Sequence, residues 1–340
     1  MAGRGEIAGD FAELLRRDGV IRGADAKLTA LTDGVSSEIL RVDDAGDSFV
    51  VKRALAKLNV REEWLADVDR NRYEQRYIAY VAGFLPEAVP AMRPGQEDRG
   101  YFAMELLGAE FESWKKMMLR GEARVEHAVK AAGILGAIHA RSAGDEEVAK
   151  RFATTENFVQ LRVDPYLLTT GRRHADLRPR FEAEAERLAG TRQCLVHGDF
   201  SPKNMMISAE RFVLLDCEVA WYGDAAFDVA FLLTHLFLKG LYHAPRELGM
   251  REMSEAFWGK YVETAGGRID CRALEPRVVR LLAMLILARV DGKSPVEYLS
   301  AEQQERARLF ARAAIQEECV SLSEMAERWF GQLRSLEARA

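Results

Sequence analysis

Apolar residues follow two different rhythms along this chain, and no all-helical or all-strand fold accommodates both. Between Lys27 and Leu55 the runs LTALTDGVSSEILRV and SFVVKRAL, separated by a polar DDAGD turn, carry β-branched residues in alternation or in short blocks, which predicts consecutive antiparallel strands. Beyond Gly108 the apolar residues recur at three- and four-residue steps. Over residues 124–142 Ala128, Ala132, Leu135 and Ile138 share one face, residues 180–188 are charged and helix-forming, and amphipathic helices are predicted over 227–238, 251–265, 275–289 and 301–326. Short apolar strands interrupt them at CLVHGDF and at NMMIS and RFVLLDCE, the last two reading as a hairpin around Ala209-Glu210. The front third adds a helix over 7–17 that Gly19 stops and a helix over 62–83 that Gly83 and Pro86 close. Two further strands over 89–107 flank a PGQEDRG turn.

The expectation is therefore an α+β chain whose β-rich front and helical back meet near Met104 to Glu110. At 340 residues it exceeds what one compact core holds, so two lobes are expected, 1–107 and 108–340. A net charge of -5 argues against a chain that neutralises phosphate backbones, and nucleic acid is excluded as a main partner. Cys194, Cys217, Cys271 and Cys319 stand far apart with no C-x-x-C pair, which suggests neither a disulfide framework nor a zinc knuckle. The N-terminal residues lack an apolar signal core, and the longest greasy run, 281–288, is far short of the roughly 20 residues a bilayer span needs. A cytoplasmic protein without membrane contact is expected; the sequence carries no signal of oligomeric state.

The segment richest in chemistry is His197-Gly198-Asp199-Phe200-Ser201-Pro202-Lys203-Asn204, followed by Asp216-Cys217-Glu218. An acid, an amide five residues later and a second acid pair after a hairpin can together hold a hydroxyl, a divalent cation and a polyphosphate. Phosphoryl transfer needs that set, because the protein's share of the work is positioning and neutralisation of charge. In the front third Lys52 lies in the strand SFVVKRAL and Glu74 in the helix RNRYEQRYIAYV, a pair suited to fix a cation for nucleotide phosphates, with Glu62, Glu63 and Glu87 as competing partners.

HGDFSPKN resembles the catalytic loop of the aminoglycoside phosphotransferase, choline kinase and methylthioribose kinase group, small-molecule kinases with a protein-kinase-like two-lobe fold. LLDCEVAWYGDAAFDVAFLL is similar to the segment that follows in that family. The resemblance implies that Asp199 is the catalytic base, that Asn204 binds magnesium, and that Asp216 holds the metal bridging the phosphates, with Glu218 beside the same cation. It implies architectural roles for His197, Asp224 and Asp228, bracing the loop and capping the next helix. KLNVREEWLADVDRNRYE resembles the methylthioribose-kinase branch, although the loop here retains an asparagine that branch often lacks. The turn around Gly34, Ser36 and Ser37 resembles the family's single-glycine phosphate loop. A hinge at Met104-Glu105-Leu106-Leu107 implies adenine recognition by the backbone of Glu105 and Leu107.

The function expected on these grounds is an ATP- and Mg2+-dependent phosphotransferase acting on a hydroxyl of a small molecule, with GTP as a second possible donor. Sugars, amino alcohols, homoserine-like compounds and aminoglycosides are all open as acceptors. The alternatives are a nucleotide-binding scaffold without catalysis and, less well matched for want of an Ala-Pro-Glu segment and a full Gly-rich loop, a protein kinase. Trp221 and Tyr222 are candidates for the acceptor pocket or for core packing. Arg289 and Lys293 read as a solvated helix end, with contact to an anionic substrate group as the alternative; Arg172, Arg173, His174, Arg178 and Arg180 as an exposed loop, with contact to an acidic ligand as the alternative; and His139 as a satisfied core histidine.

Overall fold

Strand alternation sorts the front of the chain into two faces, and a different helix covers each. The computed structural model describes residues 4–31, 37–55, 69–93, 99–246, 248–317, 319 and 321–334, the side chains of 4–10 excepted. The chain divides into two units, Met1–Pro86 with Pro90–Ala109, and Glu87–Val89 with Glu110–Ala340. In the first, α1 (Arg4–Arg17) precedes β1 (Lys27–Ala30), β2 (Ser37–Asp44) and β3 (Asp47–Ala54), and α2 (Arg70–Ala82) precedes β4 (Tyr101–Glu105). The four strands form one antiparallel sheet in chain order. Ala45 and Gly46 join β2 to β3 with φ of 50° and 85°, the positive values a tight two-residue hairpin requires.

Phe49 and Val51 of β3 point into an apolar cluster with Leu40, Val42, Tyr101 and Ala103, closed by Phe11 and Leu15 of α1. Lys52, one residue on, falls on the other face, where α2 packs. Asn71 of α2 ties itself to that strand edge by donating to the Gly100 carbonyl at 2.9 Å.

The second unit opens with β5 (Glu112–Ser113), α3 (Trp114–Leu119), α4 (Val125–Ser142), α5 (Glu146–Arg151) and α6 (Thr155–Phe158). A π-helical stretch, Val159–Leu168, then runs into α7 (Thr169–Arg173), and α8 (Arg178–Gly190) follows. Four short strands come next: β6 (Cys194–Val196), β7 (Met205–Ile207), β8 (Phe212–Leu214) and β9 (Trp221–Gly223). They pair as β5-β7-β8 and β6-β9. The remainder is α9 (Ala226–His243), α10 (Met250–Ala265), α11 (Cys271–Asp291), α12 (Ala301–Glu317) and α13 (Leu322–Arg334). Every residue from Ala226 to Leu241 is buried, so α9 is the helix the others wrap. Among the described residues no helix is long and apolar enough to cross a membrane.

The α+β expectation matches this architecture, and the β7–β8 hairpin turns where the sequence placed it, but several elements differ. The helix expected over 301–326 is two helices, α12 and α13. The basic run Arg172 to Arg180 is a loop only in its middle: Arg172 and Arg173 end α7, Arg178 and Arg180 begin α8, and His174 in the turn between them is largely buried against Asp291 at 2.9 Å. The first strand expected after Val89 shrinks to a single bridge between Met92 and Met104, and the turn at 94–98 lies outside the described residues. Trp221 is fully buried and stacks on Phe158 at 4.0 Å, with Phe227 edge-on to Phe158 at 4.9 Å. It belongs to the core, as does Tyr222, whose hydroxyl donates to the Gln193 carbonyl at 2.9 Å.

Phe158 bridges α6, β9 and α9 through those ring contacts. Phe158→Ala is expected to cost about 3–5 kcal/mol, read as a lowered urea midpoint; a loss within about 1 kcal/mol would show that the site collapses around the cavity.

Candidate active site

The loop between β6 and β7 is shaped by one acid from outside it. Asp228, fully buried in the first turn of α9, accepts the backbone N–H groups of His197 at 2.7 Å and Gly198 at 2.9 Å, one on each carboxylate oxygen. His139 reaches the same carboxylate at 3.4 Å and is held from its other side by the Tyr261 hydroxyl at 2.9 Å. His139 is thus a satisfied core histidine, and Asp228 braces the loop as expected. Gly198 has φ +78°, and a Cβ there would stand 2.6 Å from the Val219 carbonyl oxygen, so only glycine fits. His197 turns its Nδ1 back to accept the Asp199 N–H at 3.2 Å, and burial pushes its pKa below the ordinary imidazole value.

Asp199 is the residue this frame presents. Its carboxylate is 4% exposed and meets two cations, Arg162 at 3.0 Å and Lys203 at 2.9 Å. Burial alone would raise its pKa, but the charges of Lys203 and Arg162 outweigh it and hold the group far below the usual carboxylate range. Lys203 comes from the loop itself, four residues on. Arg162 comes from the π-helical stretch, for a traceable reason. Pro165 has no N–H to give the Leu161 carbonyl, four residues back, and its ring would crowd that oxygen in an α-helix. The Leu161 carbonyl instead accepts from the Arg162 guanidinium at 2.7 Å, while Arg162 Nε donates to the Gly198 carbonyl at 2.5 Å. The guanidinium is pinned at three points.

Asn204 closes the loop by donating from Nδ2 to the Asp199 carbonyl at 3.0 Å, which leaves Oδ1 as its donor atom toward a ligand. Leu215 N–H donates to the Asn204 carbonyl at 2.9 Å and so registers the loop against the strand that leads to Asp216. Asp216 has φ +63°, a left-handed backbone rare for aspartate and held against a cost of about 1–3 kcal/mol. Its carboxylate and that of Glu218 offer oxygens within 4.8 Å of each other, close enough to share one cation. Amide and carboxylate oxygens are the hard donors that magnesium or calcium selects, so the donor set fits such an ion. Asp224 serves the architecture: it accepts the Ala226 N–H at 3.0 Å at the start of α9 and pairs with Arg187.

In the first unit Lys52 Nζ lies 2.8 Å and 2.7 Å from the two Glu74 oxygens, with side chains 3% and 2% exposed. Glu74 is therefore the partner; Glu62 and Glu63 lie outside the described residues. A buried ion pair contributes little net stability, so its presence speaks for use. Ser37 is buried at the start of β2, whereas Gly34 and Ser36 fall outside the described residues. Glu105 ends β4 with its N–H donated to the Ala91 carbonyl at 2.9 Å, and Leu107 lies two residues beyond.

Sequence reading passed over Arg162, Lys203 and Tyr166. The reading of Arg289 and Lys293 as a solvated helix end is corrected: Arg289 is part-buried and donates to the Tyr166 hydroxyl at 3.2 Å and the Ser294 hydroxyl at 2.9 Å, and Lys293 pairs with Asp164 at 2.9 Å. Pro165 inside a helical pattern was the available signal for the Arg162 geometry.

Comparison with known proteins gives a consistent result. The model of the phosphotransferase enzyme family matches residues 27–255. A methylthioribose kinase of Bacillus cereus (strain AH820) is 23% identical over 262 residues, 68% of this chain and 66% of that enzyme, so the chain spans just under two thirds of that relative's length. Among solved structures, a Plasmodium vivax ethanolamine kinase superposes with a TM-score of 0.55 at 11% identity, covering 94% of this chain and 92% of its own. A choline kinase of Cryptosporidium parvum gives 0.55 at 9% identity, covering 94% and 99%. These structural likenesses show the protein-kinase-like fold.

The Asp199 environment makes a pH prediction. Its folded pKa lies below the unfolded value of about 3.9, so the stability it contributes is fully present above that value and is lost as pH falls through the folded one. Arg162→Met removes one of the charges responsible. The variant is expected to lose stability at pH 7, because its folded Asp199 pKa rises toward the unfolded value, and to approach wild type only as pH falls from that raised pKa toward the lower one of wild type. Urea midpoints measured from pH 7 down to about pH 1 check this, and a deficit that stays constant over that whole range would refute the coupling.

Proposed function

The chain belongs to the phosphotransferase enzyme family, and from that premise we propose that it transfers the terminal phosphoryl group of ATP to a hydroxyl of a small molecule, with magnesium. The observation that carries this reading is Asp199, an ionised buried carboxylate fixed on a braced loop and followed by a set of oxygen donors. In the proposed reaction a bond forms between the acceptor oxygen and the γ-phosphorus while the bond to the β–γ bridging oxygen breaks, and that electron pair leaves with ADP. The hydroxyl proton passes to Asp199. A carboxylate held so far below its usual pKa is a weak base at rest. Its first task is then to accept the hydroxyl's hydrogen bond and aim the oxygen lone pair, with proton transfer late, as a loose phosphoryl transition state permits.

Asn204, Asp216 and Glu218 are the residues proposed to hold magnesium. When bound, the ion supplies charge neutralisation on the nucleotide phosphates. Lys52, oriented by Glu74, is assigned to nucleotide phosphates, and the turn of Gly34, Ser36 and Ser37 to a backbone cradle for them. The backbone at Glu105 and Leu107 is assigned to the purine, which leaves GTP as an alternative donor. Arg162 is a positioning residue that keeps Asp199 ionised and aimed.

ADP release with ATP and magnesium, screened over sugars, amino alcohols, hydroxy acids and aminoglycosides, tests the reaction. Asp199→Asn is expected to lower kcat by about 10²–10⁴-fold with KM for ATP nearly unchanged. Full-rate turnover by that variant would remove the assignment, and nucleotide binding without turnover across the panel would favour a non-catalytic scaffold.

A further inference from the structure

A helix buried on every side is expected to be apolar on every side, yet α9 carries His235 and Lys239 in its second half, 7% and 0% exposed. They stand four residues apart, with Phe231 four residues earlier, so the three form one stripe. The stripe has a direction. Phe231 meets Tyr166 edge-on at 5.6 Å and His235 edge-on at 5.5 Å. Tyr166 in turn lies beneath the Arg162 guanidinium, 6.0 Å from its ring centre, and Arg162 holds Asp199. The stripe therefore runs from the neighbourhood of the proposed base to Lys239, which stands four residues, about 6 Å, past His235.

Three donors along it are buried without a hydrogen-bond acceptor among the described residues: Lys239 Nζ and the Tyr298 hydroxyl at its far end, and Nε of Arg289, whose guanidinium also donates to the Tyr166 hydroxyl. Lys239 Nζ lies 5.1 Å from the centre of the Tyr298 ring. Glu297, an acid whose charge favours the Lys239 ammonium, is largely exposed and already paired with Lys115. An uncompensated ammonium in a protein interior is costly, and here a second cation faces it. Burial, then the charges of Lys115 and Arg289, push the Lys239 pKa down to about 7. Burial would raise the Tyr166 phenol, but Arg289 and Arg162 outweigh it and pull it below its ordinary value. The region is short of one negative charge.

We propose that the phosphate acceptor supplies that charge: a small hydroxylated acid whose oxyanion, a carboxylate or a phosphate ester, is bound by Lys239, Arg289 and Tyr298 while its hydroxyl faces Asp199. This rests on the kinase reading and narrows it, because a neutral acceptor can accept hydrogen bonds from these donors but brings no charge to offset the two cations, and a polycation adds to them. Lys239 and Tyr298 are specificity-determining residues on this account, with no part in the transfer itself.

The test uses the full chain with ATP and magnesium and acceptors matched for size but differing in charge: xylitol, an aminopolyol, gluconate and a polyol phosphate. Acids are expected to exceed the neutral and cationic compounds at least tenfold in kcat/KM, and the better of the two acids identifies the oxyanion. Lys239→Met should raise KM for that acid by about 30-fold or more, as loss of one partner of a buried charge pair does, with kcat little changed. Tyr298→Phe should raise it several-fold. Lys239→Met removes an unmet buried charge and is expected to raise Tm, which separates a binding defect from misfolding. Preference for neutral or cationic acceptors, or an unchanged KM in Lys239→Met, overturns the inference and leaves the kinase reading standing. Absence of turnover with every charge class, while ATP binds, overturns both.

Discussion

Two amide hydrogen bonds to one buried carboxylate govern the geometry of the second unit's site. Asp228 takes the N–H groups of His197 and Gly198 at the point where β6 ends, and it is itself supported by His139 and Tyr261 from α4 and α10. An unmatched buried amide costs about 1–3 kcal/mol, so the loop has no inexpensive alternative path. The left-handed turn at Gly198 follows from that anchoring, and its lack of a Cβ lets the Val219 carbonyl approach. Asp199 points where it does because the two residues before it are fixed at the backbone. A buried acid can in this way set the direction of another, the proposed base, without touching it.

Charge is distributed around Asp199 so that each partner answers a different need. Lys203 is half exposed and travels with the loop, so although its charge acts strongly on the buried Asp199, its side chain is the more exchangeable of the two partners. Arg162 is buried and tied to two carbonyl oxygens, so its position is set by the π-helical turn that Pro165 imposes. One cation is thus free to yield to an incoming ligand and the other is fixed. With both in place the carboxylate remains ionised across the physiological range, which suits hydrogen-bond acceptance better than strong basicity.

How much of this was legible in the sequence depended on whether the relevant contacts are local. The hairpins, the alternation that sends Lys52 to the face opposite Phe49, and the loop from His197 to Asn204 were all readable, because each is written within about ten consecutive residues, the range of turn and strand signals. The Lys52–Glu74 pair was readable as a choice among several acids, and packing of α2 made the choice. Arg162 was invisible because its role depends on a carbonyl that a proline three residues later sets free, and on a loop 36 residues away. The single helix expected over 301–326 failed because a continuous apolar stripe does not reveal where a chain turns back to bury it.

Net charge illustrates the same point about scale. At -5 over 340 residues the chain is mildly acidic, which would suggest a cationic ligand if charge were spread evenly. It is not. Exposed acids pair with exposed arginines over α8 and α12, for example Glu182 with Arg178 and Glu302 with Arg306, and such pairs are screened and nearly neutral at a distance. The charges that act on a bound molecule are those out of water, where screening is weak. Beside the second half of α9 these are Lys239 and Arg289, whereas the buried carboxylates Asp228 and Asp199 belong to its first turn and to the loop that turn braces. On the reading proposed above, a ligand's charge is selected by that local balance and not by the net charge of the chain.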